Sequence, residues 1–150
     1  MNHRVCAALL VFVLAYLVLP VAEAGGSNDR DGFSLRDVDG PTAFAFDGFA
    51  TVGTVVAPAA AVGRFTADGN GHIRDGVRTL VVGGTVLPQT FTCTYTVNPN
   101  GTGTATCVVM TGPVPSDESF DFVIVERKKE AYFTATTPGV TIRGATKRQH

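Results

Sequence analysis

Hydrophobic residues are distributed along this chain in two different ways. Val5 to Leu19 is an unbroken apolar run that ends at Pro20. From Thr42 onward apolar and polar positions alternate instead, and no window keeps a helical period. Phe91, Cys93, Tyr95 and Val97 fall on one face of a strand, with Thr90, Thr92, Thr94 and Thr96 on the other. Phe120, Phe122 and Ile124 repeat the pattern. Aromatic and β-branched residues at period two predict half-buried strands. These are expected near 42–47, 49–57, 61–67, 72–83, 86–97, 102–110, 119–127, 130–136 and 139–145.

A short repeat punctuates the strands. Phe65-Thr66-Ala67-Asp68-Gly69-Asn70-Gly71 matches Tyr95-Thr96-Val97-Asn98-Pro99-Asn100-Gly101 position by position. Phe133-Thr134-Ala135-Thr136-Thr137-Pro138-Gly139 is a weaker third copy. Asp, Asn and Gly accept the positive φ that tight hairpins demand, so the repeat reads as strand end plus turn. Arg127-Lys128-Lys129-Glu130 predicts a fourth turn. Eight or nine antiparallel strands in sequence leave two open edges unless the sheet closes. The short links favour an all-β, antiparallel up-and-down barrel of about eight strands, with a two-sheet β-sandwich as the alternative.

The apolar run has a different meaning. His3 and Arg4 precede it, and Ala22-Glu23-Ala24 follows with small residues where a signal peptidase reads. This is the layout of an export signal, and the run is shorter than the roughly 20 residues a membrane-spanning helix needs. Residues 1–24 are therefore expected to be a signal peptide, helical over Val5 to Leu19 in the precursor and then removed. The expected product is secreted or periplasmic, with no stable membrane insertion after cleavage. Residues 25–41 are polar and rich in Gly, Asp and Ser; they read as a flexible linker from which Phe33 and Leu35 can dock, and 42–150 as the barrel domain.

Cleavage changes the cysteine count. Cys6 leaves, and Cys93 and Cys107 remain, placed symmetrically about Asn100. A hairpin paired about that centre opposes them on one face, and an oxidising compartment makes a disulfide the expected state. The same register opposes Thr94 to Thr106 and Thr96 to Thr104 on the outer face. The formal net charge of −1 is unaltered by losing Arg4 and Glu23 together. A chain so nearly neutral lacks the basic surface that nucleic acid or anionic membranes require. The sequence leaves the oligomeric state open.

The run from Phe44 to the end resembles a group of uncharacterised exported bacterial proteins rich in Gly, Thr and Phe. Their hairpins repeat an aromatic-Thr-x-Asp-Gly-x-Gly signature. The likeness is carried by Phe65 to Gly71, Tyr95 to Gly103 and Gly144-Ala145-Thr146-Lys147-Arg148-Gln149. It implies an exported β-barrel and brings no activity. The domain also looks like a calycin-type barrel, the shape shared by lipocalins and allene oxide cyclase. That is an analogy of fold, and the Gly-x-Trp of lipocalins is absent because the chain has no Trp.

Candidate chemistry is sparse. Asp68, Asn70 and His72 alternate, as do Asp29 and Asp31, but neither series has the Gly at position six and Glu at position twelve of a calcium loop; no metal or cofactor is expected. His72 with Arg74, Asp75 and Arg78 offers a polar set in which His72 can act as a base. A solvated strand face explains the same residues. No Gly-x-Ser-x-Gly elbow is present, and no catalytic residue is assigned. Asn100-Gly101-Thr102 is a formal glycosylation sequon that the turn already explains. Phe91, Tyr95, Phe120, Phe122, His72 and Arg74 are the candidates to line a ligand site. The leading reading is a non-enzymatic exported barrel that binds a small apolar molecule or acts at the cell envelope. Its rivals are a cyclase or isomerase taking a fatty-acid-like substrate within the barrel, and a structural or adhesive envelope domain. The interior volume discriminates among them.

Overall fold

The computed structural model describes residues 32–125 and 129–150. The expected signal peptide, residues 25–31 of the expected linker, and Arg127 and Lys128 of the fourth turn lie outside the described residues.

Eight strands form one closed antiparallel barrel. They are β1 (Asp39–Val52), β2 (Val55–Asp68), β3 (His72–Val82), β4 (Thr85–Val97), β5 (Thr102–Thr111), β6 (Val114–Val125), β7 (Glu130–Ala135) and β8 (Val140–Arg148). Each pairs with its neighbours in sequence, and β1 pairs with β8 from Thr42↔Arg148 to Ala50↔Val140 to close the wall. Closure leaves no free strand edge, which sets aside the sandwich alternative.

The first hairpin differs from expectation. Strands expected at 42–47, 49–57 and 61–67 are a single long pair, β1 and β2, turning at Gly53-Thr54. The expected strands leave out Gly48 and Pro58, but both are accommodated inside the pairing. A Cβ on Gly48 would lie 2.7 Å from the Ile142 backbone, so glycine permits close approach at the closing seam. Pro58 pairs with Phe49 near the turn, and its carbonyl accepts a hydrogen bond from the Gly83 N–H at 2.9 Å. The strand expected at 119–127 likewise begins earlier, at Val114, after the Gly112-Pro113 turn.

The inward faces carry the core: Phe44, Phe46, Phe65, Ile73, Phe91, Tyr95, Val109 and Ile142 are all buried. Four phenylalanines lie over glycines directly opposite them: Phe44 on Gly63, Phe91 on Gly76, Phe122 on Gly103 and Phe133 on Gly144. Placing a ring opposite no side chain lets large residues fit within a narrow barrel. Cys93 and Cys107 pair directly across β4 and β5 and form a disulfide inside the barrel. Outside, Thr94 faces Thr106, and the hydroxyls of Thr96 and Thr104 lie 2.9 Å apart.

The segment before β1 closes one end. Leu35–Asp37 forms a 3-10 turn, and β1 starts at Asp39 rather than Thr42, so this part of the expected linker is ordered. Asp37 N–H donates to the Ser34 carbonyl and the Ser34 N–H to Asp37 Oδ2, at 3.0 and 2.7 Å. The Tyr95 hydroxyl reaches up from the core to the carbonyls of Val38 and Leu35, at 2.8 and 3.3 Å. Phe33 docks as anticipated: its N–H donates to the Pro99 carbonyl, and its ring covers Gly101.

Candidate functional site

One irregularity decides what faces the interior. Ile73 pairs with Cys93 and Gly76 with Phe91, so Arg74 and Asp75 of β3 together oppose the single residue Thr92. This is a β-bulge, with Asp75 at a left-handed φ of 53°. An extra residue inverts the inside-outside phase of everything after it. Without the bulge, continued alternation from Ile73 would turn Val77 inward and Arg78 outward. Observed is the reverse: Val77 is 40% exposed, and Arg78, Gly76 and Ile73 are buried.

Arg78 is thus held inside an otherwise apolar barrel, its side chain only 4% exposed. Its two terminal nitrogens donate to the two oxygens of Glu118 from β6, at 2.8 and 2.5 Å. Its Nε donates to Gln89 Oε1 of β4 at 2.6 Å, and Gln89 Nε2 donates to Thr111 Oγ1 of β5 at 2.6 Å. The guanidinium carbon lies 5.6 Å from the centre of the Phe46 ring. Among the described residues no buried side-chain nitrogen or oxygen lacks a partner. Arg78 and Glu118 are brought together from 40 residues apart in sequence.

This polar belt lies between two cavities. The larger, about 110 Å³, extends toward the end capped by Val38 and is walled by Phe44, Phe65, Phe91, Tyr95, Phe120, Phe122 and the disulfide. The smaller, about 60 Å³, lies toward the far end, against Ala50, Leu80, Val82 and Val140. Arg78, Glu118, Phe46 and Phe120 border both. The far end is free of charge in sequence: no charged residue occurs between Asp47 and Arg64 or between Arg78 and Asp117. Its hairpin tips expose Val52, Val55, Val56, Val86 and Val114.

The sequence candidates divide. Phe91, Tyr95, Phe120 and Phe122 line the larger cavity. His72 and Arg74 lie on the outer face: both are exposed, and neither borders a cavity. They belong to the turn, where Asp68 accepts the N–H groups of Asn70 and His72 at 2.8 and 3.0 Å and lies 3.9 Å from the Arg74 guanidinium. Those backbone donors hold the Asp68 carboxyl below its ordinary value of 3.8. Asp75, on which the polar set also depended, is exposed at the bulge. Glu118 and Gln89 were missed. Arg78 was considered only with His72, because alternation without the bulge gives no reason to bury it. The one available signal was the bulge sequence itself, Asp75-Gly76, in the middle of a strand.

Burial also acts on Tyr95, whose phenol is pushed above its ordinary value of 10.0 chiefly because the charged form would be desolvated. Among the described residues no helix is long and apolar enough to cross a membrane. Comparison of the chain with protein families, with curated proteins and with solved structures finds no match in any of the three.

Proposed function

We propose that this protein is an exported binding barrel whose ligand is a small, mainly apolar molecule. The observation that carries the reading is the 110 Å³ aromatic-walled cavity bounded on one side by the buried Arg78–Glu118 pair. Interiors are normally packed with few voids larger than a water molecule. An apolar cavity of about 150 Å³ takes benzene, so the space here is on the scale of one small ring or a short branched chain. Export is supported by the amino-terminal sequence pattern and by the internal disulfide, the form thiols take in an oxidising compartment.

Volume argues against the cyclase reading. Sites for larger organic ligands run from about 300 Å³ upward. A fatty-acid-like chain exceeds either chamber, and Phe46, Arg78, Glu118 and Phe120 stand between the two. The adhesive reading gains nothing from the interior and is the one left standing if the cavity takes no ligand.

Toluene is a suitable probe. Titration of labelled protein, followed by backbone amide NMR, should move resonances at Phe91, Tyr95 and Val109 saturably and raise the melting temperature. Unchanged spectra and melting at near-saturating toluene would remove the binding reading.

A further inference from the structure

The Arg78–Glu118 pair is an unequal partnership. Arg78 is held on three sides: by Glu118, by Gln89 through Nε, and by the Phe46 face. Among the described residues Glu118 hydrogen-bonds through its side chain only to Arg78, and that side chain is 22% exposed against 4% for Arg78. Removing the carboxylate would leave the guanidinium in place, its two terminal nitrogens directed at the position where the cavities meet. Moving Glu118 outward takes it toward water, whereas Arg78 has no such route. A planar guanidinium anchored in this way is matched in shape and charge to a carboxylate.

Stability is a weak reason for keeping such a pair. Buried ion pairs are often no better than apolar residues of the same volume, because desolvation offsets the attraction. The pair instead borders both apolar chambers, together with Phe46 and Phe120.

We propose, resting on the binding reading above, that Arg78 is a carboxylate receptor and that Glu118 is its resident placeholder. The ligand is then a small carboxylic acid with a compact aromatic or branched apolar body. Its carboxylate takes the place of Glu118 on the two terminal nitrogens of Arg78, and its body fills the larger chamber. Glu118 turns outward to water, so the interior keeps one anion against one cation. Gln89 is a positioning residue, holding Nε so that the fork does not rotate.

Benzoate and toluene, titrated by calorimetry and amide NMR, test this in the full domain. Wild type should bind benzoate, and Glu118→Gln should bind it at least tenfold more tightly, because a neutral amide replaces the competing anion. Toluene binding reports the cavity in each form, and the ratio of benzoate to toluene affinity should rise in that variant. The double variant Arg78→Gln/Glu118→Gln, which leaves no unpaired buried charge, should lose benzoate and keep toluene. If Glu118→Gln takes toluene but not benzoate, the receptor proposal is overturned and the cavity reading survives. Equal benzoate binding by the double variant also overturns it, since the anion then sits elsewhere. Binding of neither probe by any form removes both readings.

Discussion

A phenylalanine ring over a glycine recurs four times in this barrel, and at each glycine an added Cβ would lie under 3.0 Å from both the ring and a backbone oxygen. At Gly76 an added Cβ would lie 2.5 Å from two carbons of the Phe91 ring and 2.6 Å from the Phe91 carbonyl oxygen. The ring is in turn packed edge-on to Phe44 and Phe65, which leaves the larger cavity as the side toward which it can yield, while the carbonyl contact is fixed by the β3–β4 pairing. Gly76→Ala should therefore destabilise the protein by about 1–3 kcal/mol, the range for an overpacked core. Phe91→Leu in the same chain should recover part of the loss, leaving the share due to the carbonyl contact. Urea unfolding of the two single variants and the double gives the coupling; a Gly76→Ala midpoint equal to wild type would show that the wall relaxes there. The same position explains why Arg78 was not legible as a core residue. Alternation from Ile73 gives the wrong phase by one residue, and the left-handed Asp75 that corrects it leaves only an Asp-Gly step in the sequence.

Among elements, the segment that caps the barrel is tied to the core by one buried hydroxyl, beside the Phe33 contacts with Pro99 and Gly101 and the Arg148 guanidinium on the Asp37 carbonyl. Tyr95 donates toward Val38 and Leu35 only while protonated. Its folded-state value lies above 10.0, so the contribution is whole below pH 10 and declines as pH rises through the raised value. Tyr95→Phe should cost about 1 kcal/mol at neutral pH, the net worth of such a bond. It should also speed hydrogen exchange at the Val38 amide and remove the alkaline decline expected of wild type. Identical exchange rates at Val38 in both proteins would mean that packing of Leu35 and Val38 alone seats the segment. This element was only half legible. Phe33 and Leu35 stand out as apolar residues in a polar stretch, but their partners, Gly101, Pro99 and Tyr95, lie about 60 residues away. Strands were easier, because period-two alternation is local; β4 and β5 are readable from it, and their register from the symmetric placing of Cys93 and Cys107 about Asn100. Gly48 and Pro58 misled for the converse reason: what makes them tolerable is contact with β8 and with the β3–β4 turn, which no local pattern contains.

For the whole molecule, closure and covalent restraint fall in different places. Every strand pairing but one joins neighbours in the chain; the exception, β1 with β8, brings residue 42 to residue 148. The disulfide spans 14 residues within the β4–β5 hairpin and does not cross that seam. It therefore restrains a pairing that the short Asn98–Gly101 turn already favours, and it acts mainly by narrowing the unfolded ensemble. In the chain-entropy account a loop of this size is worth about 3 kcal/mol. Cys93→Ala/Cys107→Ala should accordingly lower the urea midpoint by that free energy while the far-ultraviolet spectrum of the barrel persists. Oxidised and reduced wild type should differ in the same sense. Equal midpoints would place the covalent link outside the stability of the fold and make it a feature of the cavity wall alone. The measurement also bears on export, because a barrel that needs its disulfide is fully stable only where thiols oxidise.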